Sequence, residues 1–291
     1  MTDSAHLPSP LHALVESVLG PLDDVRDSSH DRDNSQVWRV TGPTGYHYVK
    51  VAPKPILYTR ETRAYRVAVP HLGHGNAPLL RDSSAELLAL ILTAVDGEPL
   101  KEEESPARRR TAHRQAGQLL RRFHDAMTGP LVQPEADTVV ENTVAGLDKH
   151  LAKAGDHLST TEAELLRHLV GALPGCGPLP AGWLHGDFWE RNLLWNGQRC
   201  TLIDFERSEP GPRVADFVKL ATSLWLDHPE LRTALFEGYG RPLSEAEEYA
   251  LTAFAAADAA SALAYGPRHG DPLVTARGRR TVAHLLQEGR L

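Results

Sequence analysis

The strongest constraint on this chain is a hairpin signal whose two rims are polar. Two short apolar runs, Leu193-Leu194-Trp195 and residues 200–203, flank Asn196-Gly197. That dipeptide suits the positive φ angles of a tight hairpin turn. The first arm follows His185-Gly186-Asp187-Phe188-Trp189-Glu190-Arg191-Asn192, and the second runs into Ile203-Asp204-Phe205-Glu206. Closing the hairpin returns Asp204 to the side of Asn192, so Asp187, Asn192 and Asp204 share one small volume. Phosphoryl transfer from a nucleotide needs this set. One Asp accepts or orients the acceptor hydroxyl proton, while an Asn and a second Asp hold Mg²⁺, a hard cation that prefers oxygen ligands. The His-x-Asp-x4-Asn spacing matches the catalytic-loop pattern of kinases.

The rest of the chain divides by pattern. The 291 residues suffice for about two domains or lobes. Residues 11–19 read as a short helix stopped by Gly20-Pro21, and the polar stretch 22–35 as a loop. Val37-Trp38-Arg39-Val40 and residues 46–51 form a hairpin, residues 58–69 a helix, and residues 87–92 a buried strand. Asp96-Gly97-Glu98-Pro99 is a turn signal and the candidate boundary between lobes, 1–95 and 96–291. Beyond it the pattern is helical. Ala112, Ala116, Leu119, Leu120 and Phe123 mark one stripe, and further helices are expected over 138–155, 161–172, 214–225, 228–238, 244–265 and 272–288.

Composition excludes several classes. Hydrophobic residues make up 41% and charged residues 24%, which argues against global disorder. A net charge of -7 disfavours a broad grip on nucleic acid or an anionic membrane. Two cysteines, Cys176 and Cys200, exclude a disulfide scaffold and lack zinc-site spacing. Residues 1–20 show no secretory pattern, and the longest apolar stretch, 87–95, is far short of the roughly 20 residues of a membrane helix. A cytoplasmic protein is expected.

Taken together, residues 183–194 and 203–206 resemble the signature of the aminoglycoside phosphotransferase and choline kinase family, relatives of protein kinases that phosphorylate small molecules. The similarity spans about residues 30–285. It implies an α+β, two-lobed protein-kinase-like fold, with a small N-terminal antiparallel sheet lobe and a larger, mostly helical C-terminal lobe. It makes Asp187 the catalytic base or hydroxyl-orienting group, and Asn192 and Asp204 the Mg²⁺ ligands. Lys50, in Tyr48-Val49-Lys50-Val51, becomes the contact to the nucleotide phosphates, with Glu61 as its ion partner. The Thr93 carbonyl and Val95 amide would meet the adenine edge, with Leu92 behind them. Asp216 matches a structural Asp. Three departures argue against a protein kinase: Gly186 in place of Arg, Asp204-Phe205-Glu206 in place of Asp-Phe-Gly, and no following Ala-Pro-Glu. No Gly-rich loop precedes Lys50; the amides of Asn34 and Ser35 are expected to face the phosphates instead.

The cofactors implied are ATP or GTP with Mg²⁺, and the partner is a small hydroxylated acceptor. Trp189 and Glu190 are expected to border the acceptor, although a packing role suits Trp189 equally. Residues 243–261 carry Glu245, Glu247, Glu248 and Asp258 and no Lys or Arg, which suits a cationic acceptor or a solvated face. Asp258, set among alanines, is the candidate acceptor contact. The leading expectation is an antibiotic kinase of the aminoglycoside type. The alternatives are a metabolic kinase for choline, homoserine, thiamine or a sugar, and an inactive kinase-like binding module.

Overall fold

The computed structural model describes residues 6–29 and 36–291. Its first part comprises α1 (Ser9–Leu19), β1 (Asp24–Asp27), β2 (Gln36–Gly42), β3 (Gly45–Val51), α2 (Pro55–Val67), β4 (Leu80–Ser84) and β5 (Ala89–Thr93). The strands form one antiparallel sheet in the order β1-β2-β3-β5-β4. Side chains alternate between sheet faces, and β5 is buried on both. Ala89 and Ile91 join Trp38, Val40 and Val49 under the apolar stripe Leu11, Val15 and Leu19 of α1. Leu90 and Leu92 face the other way and pack in the main core with Tyr58, Ala64 and Tyr65 of α2. The same alternation sends Lys50, next to Val49 and paired in register with Leu90, towards α2.

Residues 22–35, read as loop, contain an edge strand. β1 pairs with β2 from Asp24 opposite Thr41 to Asp27 opposite Trp38. Its sequence, Asp-Val-Arg-Asp, has one apolar residue, and charge at an edge discourages pairing with another chain. Its hydrophobic pattern is therefore silent.

The second part holds β6 (Glu98–Pro99), α3 (Pro106–His124), α4 (Gln133–Ala154), α5 (Thr160–Gly171), β7 (Ala181–Leu184), β8 (Leu193–Trp195), β9 (Cys200–Leu202), β10 (Glu209–Pro212), α6 (Val218–Ser223), α7 (Pro229–Tyr239), α8 (Glu245–Tyr265) and α9 (Pro272–Glu288). Helix ends follow local chemistry. Capping boxes, Ser159 with Glu162 and Ser244 with Glu247, open α5 and α8. Pro229 starts α7 and a left-handed Gly240 ends it. β8 and β9 form the hairpin, with Leu193 opposite Leu202, and β6 extends it. The segment read as one helix over 214–225 is instead a 3-10 turn, Arg213–Phe217, followed by α6. No described helix is long and apolar enough to cross a membrane.

The main core is continuous from Leu90 and Leu92 of the sheet to Phe123 of α3, Phe205 and Phe217. A second cluster joins α4, α5, α8 and α9 through Leu147, Leu151, Leu166, Ala259, Leu263 and Val282. The α3–α7 contact is set by glycines. A Cβ on Gly117 would collide with the Leu235 carbonyl, and one on Gly238 with the Arg114 carbonyl. Backbone atoms cannot yield as a flexible side chain does, so the helices must separate to admit a methyl group. Gly238→Ala is expected to cost about 1–3 kcal/mol, read as a lower urea midpoint. An unchanged midpoint would mean that the two helices have room to part.

Candidate active site

The sheet side of the site is built around one lysine. On α2 the residues spaced for one face are Tyr58, Glu61, Thr62 and Tyr65, and all four are buried. Glu61 thereby meets Lys50 from β3: Nζ donates to Oε1 at 3.2 Å and lies 3.0 Å from Oε2. Oε2 makes no hydrogen bond of its own, although it is buried. Lys50 Nζ also donates to Asp204 Oδ1 at 2.6 Å and lies 3.1 Å from Glu206 Oε2. Three carboxylates therefore share one ammonium. Burial works to lower the Lys50 pKa, but Glu61, Asp204 and Glu206 together hold it well above its ordinary value. Burial pushes Glu61 up to about 7 despite Lys50. For Asp204, burial is outweighed by Lys50, His185 and Arg191, and its pKa is held down.

This acid excess is the chemistry of a divalent-cation site. Oxygen atoms of Glu61, Asp204 and Glu206 all lie within 4.8 Å of one another. Hard oxygen donors and uncompensated negative charge fit Mg²⁺. Glu206 is a participant that sequence reading missed. Phe205 is buried in the core between Asp204 and Glu206. Glu206 stands two residues after Asp204 in the sequence, so a second acid beside the candidate ligand was visible there.

The loop side of the site is built around Asp187. Asn192 Nδ2 donates to the Asp187 carbonyl at 2.9 Å and to its Oδ2 at 3.2 Å. Arg191 Nη2 donates to the same Oδ2 at 2.7 Å. Among the described residues Oδ1 has no hydrogen-bond partner. With its amide nitrogen engaged, Asn192 has its side-chain oxygen free of hydrogen bonds among the described residues. The hairpin delivers Asp204 as its turn chemistry requires: Asn196 Oδ1 accepts from the Gln198 and Arg199 amides, and the Ile203 amide donates to the Asn192 carbonyl at 3.1 Å. Asp204 adopts φ 67, a left-handed conformation that the short polar side chains tolerate best.

A second carboxylate fixes the loop. Asp216, in the 3-10 turn before α6, accepts from the His185 and Gly186 amides at 2.7 Å each, and His124 Nε2 lies 2.9 Å away. His185 is structural: its Nε2 donates to the Ile203 carbonyl at 3.0 Å, and its Nδ1 accepts the Asp187 amide at 3.2 Å. Gly186 has φ 77, and a Cβ there would strike the Arg207 carbonyl, so the Arg of protein kinases has no room.

Thr93 ends β5, and its hydroxyl accepts the Leu79 amide at 2.8 Å. The Val95 amide makes no hydrogen bond among the described residues. Ser35 and Asn34 lie outside the described residues. Trp189 stands beside Asp187, with the Arg191 guanidinium 4.3 Å over its ring. The two acids expected at the acceptor are both ion-paired. Glu190 accepts from Arg109 Nε and Nη2 at 3.0 and 2.8 Å, and His113 Nε2 lies 3.0 Å away. Asp258 lies between Lys219, at 2.9 Å, and Arg277. Burial raises its pKa, but the two cations prevail and hold it down. The partners come from other elements (α3 for Glu190, α6 and α9 for Asp258), so no local pattern reveals them.

Glu190 also carries a pH signature. Burial pushes its pKa up, but hydrogen bonds from His113 and Arg109 prevail and hold it below 4.5. A carboxyl depressed on folding contributes stability that is complete above its unfolded pKa and is lost as pH falls through its folded one. Glu190→Gln is expected to melt lower than the parent at neutral pH. The gap should narrow below about pH 4.5, measured as Tm against pH; a constant gap would show that ionisation of Glu190 is immaterial.

Comparison with known proteins places this geometry. The chain matches the sequence model of the phosphotransferase enzyme family over residues 24–254. The curated proteins give no match. Among solved structures, the macrolide 2'-phosphotransferase MphH from Brachybacterium faecium superposes with TM-score 0.62 at 18% identity, covering 96% of this chain and 98% of that one. The choline/ethanolamine kinase family protein from Mesorhizobium loti gives 0.65 at 18%, covering 96% and 92%. The streptomycin-ATP-APH(2")-IIa ternary complex gives 0.65 at 17%, covering 97% of each chain. At such identities the superpositions speak for a shared fold, while the sequence match extends over most of the chain and both walls of the site. The chain belongs to the phosphotransferase enzyme family and is a small-molecule kinase.

Proposed function

We propose that this enzyme transfers the γ-phosphoryl group of ATP or GTP to a hydroxyl of a small antibiotic. The observation that carries this reading is the placement of Asp187: one carboxylate oxygen is fixed by Asn192 and Arg191, and the other is left for an acceptor hydroxyl. Asp187 Oδ1 takes the hydroxyl proton as the acceptor oxygen attacks the γ-phosphorus. The bond from that phosphorus to the β–γ bridging oxygen breaks, and its electron pair leaves with the nucleoside diphosphate. Lys50, held by Glu61, binds the nucleotide phosphates. The Thr93 carbonyl and Val95 amide receive the adenine edge. Asn192, Asp204 and Glu206 would hold Mg²⁺, which when bound neutralises charge on the phosphates. The relative crystallised with ATP and an antibiotic supports this pairing of substrates.

Charge narrows the acceptor. A polycation needs unpaired carboxylates, yet Glu190 and Asp258 are ion-paired as described, Glu247 is bound by Arg241, and Glu248 by Arg232, which leaves Glu245 as the one acid of this set without an ion pair among the described residues. A hydroxylated antibiotic of low charge, as a macrolide is, fits better than an aminoglycoside. The same balance admits homoserine or a sugar as a metabolic acceptor. The test is nucleotide consumption with Mg²⁺ across macrolides, aminoglycosides, peptide antibiotics, choline, thiamine, homoserine and sugars. Turnover stimulated by a macrolide supports the reading. Stimulation by the metabolic compounds alone replaces it, and turnover confined to aminoglycosides overturns the charge argument.

Asp187→Asn is expected to retain nucleotide-induced thermal stabilisation and lose about 10²- to 10⁴-fold in kcat. Unchanged turnover would remove Asp187 from the chemistry. Asp204→Ala and Glu206→Gln are expected to lose the Mg²⁺-dependent part of that stabilisation, because a ligand that binds less tightly stabilises less. A full Mg²⁺-dependent shift in either variant would exclude that residue as a ligand.

A further inference from the structure

Arg191 has more hydrogen-bonding capacity than its neighbours use. It sits in the short turn Glu190–Asn192, one residue before the candidate metal ligand. Its Nη2 donates to Asp187 Oδ2, and its plane lies over the Trp189 ring. Among the described residues it has no other hydrogen-bond partner, so most of its five N–H donors are unengaged. The side chain is one-third exposed, 33%, whereas that of Asp187 is 8% exposed, so the guanidinium faces the open side of the loop.

Positioning Asp187 does not account for this cation. Asn192 already holds both the carbonyl and the carboxylate of Asp187. Arg191 also adjoins Asn192, whose carbonyl accepts the amide of Ile203, the residue before Asp204. It therefore lies on the short stretch of loop that joins the two acids between which the phosphoryl group would pass. The acids around this path outnumber Lys50 and Arg191 together, and Lys50 is already shared by three of them. Charge on a transferring phosphoryl group spreads over its equatorial oxygens, and a preorganised guanidinium matches that geometry. The Trp189 ring holds the group without removing its donors.

Resting on the kinase reading above, we propose that Arg191 is a catalytic residue, donating hydrogen bonds to the equatorial oxygens of the phosphoryl group in the transition state. Its bond to Asp187 is the resting arrangement, and transfer shifts donors onto the phosphoryl oxygens. No proton leaves the guanidinium.

The test avoids the unidentified acceptor by using water. Slow hydrolysis of Mg-ATP and Mg-GTP is measured at high enzyme concentration, beside nucleotide affinity by calorimetry. Arg191→Ala is expected to hydrolyse about 10²- to 10³-fold more slowly, with affinity within about threefold, under half a log unit. Added guanidinium ion should restore part of the rate in Arg191→Ala and none in Arg191→Lys. A structural role would not be rescued in this way. In the Asp187→Asn background, Arg191→Ala should slow hydrolysis further; if it does not, Arg191 acts through Asp187 alone and the proposal fails. Hydrolysis equal to the parent, or a loss matched by lost affinity, also overturns it. Absence of any Mg-nucleotide binding by the parent is a different result, and it overturns the kinase reading itself.

Discussion

One buried ammonium organises this enzyme. Lys50 belongs to the sheet, Glu61 to the helix packed on it, and Asp204 and Glu206 to the segment after the hairpin. Removing four charged groups from water is costly, and buried ion pairs seldom return that cost as stability. Here the acids exceed the cation, and Glu61 Oε2 is left without a hydrogen bond. Such an arrangement is poor as a fastener and suits a site that receives a cation and phosphates. The local placement serves it: β3 alternation turns Lys50 inward, a helical face buries Glu61, and the hairpin brings the other two acids under the same nitrogen.

The catalytic loop solves a different problem. Under the proposed mechanism it must hold Asp187 in place without occupying the oxygen proposed to take the acceptor's proton. Backbone atoms do much of this. Asp216 takes the His185 and Gly186 amides, and His185 bridges the Ile203 carbonyl and the Asp187 amide. Asn192 secures Asp187 from the other end. These backbone groups are satisfied by neighbours, as burial requires, whereas Trp189 Nε1 is buried without a partner.

Much of this was legible in the residues. The Asn196-Gly197 turn, the spacing from His185 to Asn192, and Lys50 within an alternating strand each report a local conformation, so the hairpin that returns Asp204 towards Asn192 and the two-lobed fold followed, while the family resemblance supplied the pairing of Lys50 with Glu61. What stayed hidden depends on contacts distant in sequence. Arg109 and His113 meet Glu190 across some eighty residues, and Lys219 and Arg277 reach Asp258 from two other helices. A charge count along one helix cannot detect neutralisation arriving from its neighbours. β1 escaped for a related reason: a charged edge strand takes its conformation from the partner it pairs with, and carries almost no pattern of its own.

The glycines between α3 and α7 have a consequence beyond packing. α3 carries His113 near its middle, bound to Glu190, and His124 at its end, bound to Asp216. These two histidines grip the catalytic loop on either side of Asp187, eleven residues apart on one helix, or about 16 Å along its axis. A helix seated backbone to backbone on its neighbour cannot easily slide or tilt. The spacing of the two grips is thus a length measured out by helical rise, and α3 serves as the gauge against which the active loop is set.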